Sequence, residues 1–209
     1  MYFGLVPGPR DFLRYVHGLR YFLLLIVSIF VLCIIAGYAI TVIAPSMTDT
    51  LLSGLEQKAA DLSSRSPLGM ALGIFENNAF GCLLAIALGL IFLGIYPAFF
   101  IASNGVIIGV ALGMVISKYG AVLGILVFVI GLLPHGIFEL TAVFVSSAMG
   151  IKLAYDLVRS VIKSDLNIIK NSIWEALRMY IFWILPILLI AAFIEVFVTG
   201  AILGYVAHT

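Results

Sequence analysis

The chain has 209 residues, of which 64% are hydrophobic and only 10% charged, with a formal net charge of +1. A soluble domain is about half apolar and about a quarter charged, so these few charges cannot cover a water-facing surface and lipid must solvate most of the chain. No basic stripe is present, which excludes nucleic acid as a partner. The expected partner is the lipid bilayer, with other membrane proteins or a second copy of the chain as candidates.

The first twenty residues form a short head with Pro7, Gly8 and Pro9. From Asp11 the head reads as a short amphipathic helix on the membrane surface, with Phe12, Leu13, Tyr15, Val16 and Leu19 on its apolar side. The apolar run over residues 21–43 exceeds a signal-peptide core of roughly 7–15 residues, and no small-residue cleavage site closely follows. As a helix it extends roughly 34 Å, enough to cross a hydrocarbon core of about 30 Å. Pro45 ends it. Residues 46–66 read as an amphipathic interfacial helix, with Leu51, Leu52, Leu55, Ala59 and Leu62 on one face.

Four more spans follow, at about 68–95, 99–117, 121–150 and 180–206. Pro67 suits the first turn of the second span, and Tyr96-Pro97 marks the turn after it. The third span carries Gly105, Gly109 and Gly113 at four-residue spacing, a small-residue stripe that lets another helix approach closely. Residues 152–179 read as a polar amphipathic stretch with Tyr155, Val158, Ile162, Leu166, Ile169 and Ile173 on its apolar side. Nothing large lies outside the apolar runs. The expectation is therefore one all-α transmembrane domain over residues 1–209: a polytopic bundle of about five spans, with interfacial helices and one helix broken at Pro134–Gly136. Cys33 and Cys82 sit in apolar runs without metal or redox spacing and read as buried free thiols.

The fourth span is the unusual one. Pro134, His135, Gly136 and Glu139 lie within six residues, inside an apolar run. Pro removes a backbone hydrogen bond and Gly weakens the helix further. Either a single kinked crossing or a re-entrant hairpin at Pro134 would suit this pattern. With a single crossing, the head and the 152–179 stretch share a side and hold eight of the basic residues, against Lys58, Arg65 and Lys118 on the other. A hairpin gives the same totals with the N-terminus outside. Arg10, Arg14 and Arg20 before the first span favour a cytoplasmic N-terminus, and with it the single crossing.

Polar residues at membrane depth need a reason, because an ionisable one costs about 2.5–3.5 kcal/mol on insertion scales. The intramembrane candidates are Glu76, Asn77, Asn78, Asn104, His135, Glu139 and Glu195. Residues 76, 77 and 78 splay over roughly 200° of a helix, so they cannot all face one point. His135 and Glu139 lie one turn apart on one face, close enough to bond each other or share a ligand. Three roles fit such a set: interhelical fastening, a pathway for an ion or small solute, and a metal site built on His135 and Glu139. No second histidine obviously joins the pair, since His17 and His208 lie near the chain ends. No H-E-x-x-H, G-x-S-x-G or G-x-x-x-x-G-K-[ST] motif occurs, so neither an enzyme nor a cofactor is expected.

Pro134-His135-Gly136-Ile137-Phe138-Glu139-Leu140 resembles the P-H-G-x-x-E-[LI] motif of the stage II sporulation protein M (SpoIIM) family. Asn77-Asn78, Asn104-Gly105 and Ile194-Glu195 resemble that family's pattern in the same order. The resemblance implies a multi-pass cell-membrane protein. In spore formers, the family's namesake looks like a scaffold that recruits peptidoglycan-degrading partners. It implies no catalytic residue. Two functions follow as expectations. One is a scaffold or assembly subunit of a membrane complex. The other is a transporter- or channel-like protein with an intramembrane polar site.

Overall fold

A computed structural model describes residues 6–44, 48, 57, 60 and 64–202. Among these the chain is almost entirely helical, without strands. Five helices are long and apolar enough to cross a membrane. A short helix precedes them, α1 (Pro9–Gly18). The five are α2 (Arg20–Ile43), α3 (Pro67–Ile91), α4 (Ile95–Tyr119), α5 (Ala121–Ile162) and α6 (Asn167–Ile202). The interfacial helix expected over 46–66 falls largely outside the described residues, as do His208 and the last residues of the expected fifth span.

α1 starts where Pro9 occupies the first turn and the Asp11 carboxylate accepts the Gly8 amide at 3.0 Å. α3 is capped by the Ser66 hydroxyl, which accepts the Gly69 amide at 3.2 Å. The turn between α3 and α4 comes earlier than the sequence suggests. It is made by Leu93 (φ 48°) and Gly94 (φ 85°), and Tyr96-Pro97 lies inside the first turn of α4, where a missing amide donor costs nothing. Gly120, at φ 80°, turns the chain from α4 into α5.

α5 settles the question raised by Pro134. It is helical without a break from Ala121 to Ile162, so the interruption is a missing hydrogen bond inside one continuous helix and not a re-entrant tip. Its 42 residues extend roughly 60 Å, about twice the hydrocarbon thickness. Its C-terminal end therefore continues past the apolar zone.

The 152–179 stretch is correspondingly two helical arms. The end of α5 and the start of α6 run antiparallel through a turn at 163–166, where Ser164 has φ 52°. Tyr155, Val158, Ile162, Leu166 and Ile173, from the apolar side, are exposed on the outer surface of the arms. The buried seam is made by Leu153, Ala154, Asp156, Ser160, Ser172 and Ala176. The turn resets the helical phase between the two arms. Inside the seam Lys152 Nζ donates to Asp156 Oδ2 and, at 3.2 Å, to Ser172 Oγ, while Ser172 Oγ donates to the same Asp156 oxygen at 2.6 Å.

α1 docks on this end of the bundle. Phe12 stacks on Trp183 with ring centroids 4.8 Å apart, and Trp183 Nε1 donates to the Pro7 carbonyl at 3.0 Å. Tyr15 is half-buried beside the arms. Burial first, and then the charges of Glu175 and Asp156, hold its phenol well above the usual value, so it stays protonated. The head and the 163–166 turn thus lie on one side of the membrane.

Two glycine contacts set the packing. A Cβ on Gly105, Gly109 or Gly113 would collide with α2 at Phe30 and Cys33, at Ile34, and at Thr41 respectively. The stripe brings α4 onto α2 backbone to backbone. The second contact is between α3 and α5: a Cβ on Gly89 would lie 2.6 Å from the Gly150 Cα.

Candidate intramembrane polar site

Three helices converge on one polar cluster. α5 supplies His135 and Glu139 from consecutive turns, α6 supplies Glu195 and Thr199, and α3 supplies Asn78. A ring nitrogen of His135 and a carboxylate oxygen from each of Glu139 and Glu195 all lie within 4.8 Å of one another. Thr199 Oγ1 is 3.3 Å from His135 Nδ1, and both residues are buried. The Asn78 side chain lies beside the Glu139 carboxylate, and its Oδ1 accepts from Asn77 Nδ2 at 3.1 Å.

Backbone geometry places these groups. Eleven residues separate Asn78 from Gly89, and eleven separate Glu139 from Gly150. α3 and α5 run in the same direction, so the Gly89–Gly150 contact fixes a register that brings Asn78 to Glu139 roughly 16 Å further out. That depth is near the middle of a ~30 Å core. In α6, residues Ile194–Thr199 form a π-helical stretch in which the Gly200 amide bonds the Glu195 carbonyl. This wider turn holds Glu195 and Thr199 toward α5, and such insertions recur at functional sites. A second π stretch, Tyr180–Ile184, precedes Pro186 and makes room for the proline ring against the preceding turn.

Electrostatics constrain the charge state of the cluster. Two ionised carboxylates at 4.8 Å repel by roughly 3.5 kcal/mol at an effective dielectric of about 20. No Lys or Arg occurs over 67–117 or 119–151, or anywhere after Arg178. Neutralising charge must come from protons or from a cation.

Other buried polar groups lie on the same three helices. Cys82 and Ser146 are fully buried on α3 and α5. Tyr180 of α6 donates its hydroxyl to the Ala79 carbonyl at 2.8 Å. The remaining candidates lie elsewhere. Asn104 donates to the Phe100 carbonyl of its own helix at 2.8 Å. Glu76 is exposed on α3, and Gly105, Gly109 and Gly113 serve the α2–α4 contact. Sequence reading missed Thr199, Cys82, Ser146 and Tyr180. Only Thr199, four residues after Glu195, carried a spacing signal.

The family model for stage II sporulation protein M matches residues 21–200, which hold every residue of this cluster. The chain belongs to the SpoIIM family. It is a multi-pass membrane protein of that family, and its P-H-G-x-x-E motif supplies the two α5 members of the cluster. It is 32% identical over 133 residues to the uncharacterized protein MJ0793 of Methanocaldococcus jannaschii, a match covering 63% of this chain and 72% of that protein. No solved structure matches the chain.

Proposed function

We propose that this SpoIIM-family protein handles a cation within the bilayer, as a transporter- or channel-like protein whose site is His135, Glu139 and Glu195. One observation carries the reading: three ionisable side chains from two helices present ligand atoms within 4.8 Å of one another, near mid-depth. Intramembrane ionisable groups that face the bundle interior mark ion pathways and proton relays. Cys82 and Tyr180 add buried polar groups on α3 and α6. No bond-making step is assigned to the protein. The arginines of the head favour a cytoplasmic N-terminus, and with it a cytoplasmic 163–166 turn.

The test is flux in proteoliposomes. Wild-type protein under a membrane potential is expected to pass protons or another cation, and Glu139→Gln to abolish the current while the purified protein keeps its helical circular dichroism. Equal flux from both proteins overturns the reading.

A second reading, a scaffold for a membrane complex, draws on a different feature. Val161, Ile162 and Leu166 are 69%, 78% and 76% exposed at the tip of the α5–α6 arms. Exposed apolar patches on the rim of a protein mark interaction sites. Replacing Ile162 and Leu166 with Asp should release a partner captured in mild detergent by the wild-type chain. Retention of that partner by the variant removes this support.

A further inference from the structure

We infer that His135, Glu139 and Glu195 form a binding site for a divalent first-row transition-metal ion, held by one imidazole nitrogen and two carboxylates. The inference rests on the cation reading above and names the cation's class.

Ligand number and spacing come first. Metal–nitrogen and metal–oxygen bonds of about 2.0–2.2 Å put neighbouring tetrahedral ligands about 3.4 Å apart. The three ligand atoms lie within 4.8 Å of one another, so side-chain adjustments of about 1 Å close the site without moving a helix. Three protein ligands leave an open position, as sites that bind or exchange a ligand require.

The outer partners point the same way. Thr199 occupies Nδ1 of His135, which leaves Nε2 available as the ligand nitrogen. Asn78 engages Glu139. Metal-bound histidines and carboxylates characteristically have such outer hydrogen bonds, which fix the tautomer and aim the ligand.

Charge closes the argument. Two carboxylates and one divalent cation sum to zero in a segment with no basic side chain, whereas a monovalent ion leaves a net negative charge at membrane depth. An imidazole with two carboxylates suits Zn²⁺, Co²⁺, Fe²⁺ or Mn²⁺. Three ligands are too few for Ca²⁺, which takes 6–8 oxygens, and the imidazole disfavours Mg²⁺.

The experiment uses the full chain, purified in detergent without a polyhistidine tag, stripped with a chelator and titrated with Co²⁺. The expected result is saturable binding of about one ion per chain, with visible d–d bands that Zn²⁺ displaces and millimolar Ca²⁺ does not. Glu195→Gln, close in shape to the wild type, should weaken Co²⁺ binding at least 100-fold (roughly). Thr199→Val should weaken it roughly 10–100-fold, as loss of an outer partner does. Circular dichroism confirms that each variant is folded. Absence of saturable binding by folded wild-type protein overturns the inference, as does equal affinity in Glu195→Gln. Proton flux that depends on Glu139 without metal binding also overturns it while leaving the cation reading intact. Metal bound at the site without any flux upholds the inference and overturns transport.

Discussion

Gly89→Ala probes the link between packing and site. The added methyl would lie 2.6 Å from the Gly150 Cα and 2.7 Å from both its carbonyl carbon and oxygen, against the 3.4 Å that marks ordinary contact. These are backbone atoms in a long helix, so no side chain can swing aside, and α3 and α5 must part by nearly 1 Å. Overpacking of this kind costs about 1–3 kcal/mol. For a chain of this size that lowers the thermal midpoint by roughly 2–12 °C. The same separation draws Asn78 away from Glu139, eleven positions along from the glycine contact on each helix, so metal affinity should fall together with stability. Detergent melts and Co²⁺ titrations of the same preparation provide the two readouts. A midpoint and an affinity both equal to wild type would refute the claim that the glycine contact sets the register of the site.

Asp156→Asn leaves Lys152 without its anion in a seam where Asp156 is 4% exposed. Breaking a buried pair costs about 3–5 kcal/mol, and because Lys152 is only partly buried the lower end is expected, read as a lower melting midpoint. Gly109→Ala should also lower the midpoint, by overpacking α4 against Ile34 of α2. Phe12→Ala should detach the head from Trp183, seen as a red shift of emission in a Trp174→Phe background. An unshifted spectrum would show that the head does not dock. Replacing Thr199 with Val should lower stability by no more than about 1 kcal/mol while weakening metal, because a single hydrogen bond contributes about that much.

Much of this arrangement was legible in the residues because lipid leaves few options. Spans of about 20 apolar residues must be helices, and His135 and Glu139 must share a face at one-turn spacing. The splay of residues 76–78 already required that they face different ways, and they do: Asn78 reaches Glu139, Asn77 donates to Asn78, and Glu76 is exposed. The rest depended on local backbone that composition does not encode. Glu195 and Thr199 meet α5 through a π-helical stretch, a change of period invisible to a 3.6-residue count. The turn before α4 sits on a left-handed Leu93, a residue without a turn signal. The 152–179 stretch is two antiparallel arms, and no Gly or Pro in it marks the turn at 163–166 where the helical phase restarts. Asn104 matched the pattern of a site residue yet bonds its own helix.

The most direct test of the central claim is paired uptake in one batch of proteoliposomes, comparing wild type with the His135→Ala, Glu139→Gln double variant. Co²⁺ and proton movements are recorded together under an imposed potential. Uptake is expected to saturate with Co²⁺ in the wild type and to stay at the level of empty vesicles in the folded double variant. Uptake by the double variant at the wild-type rate would contradict the claim.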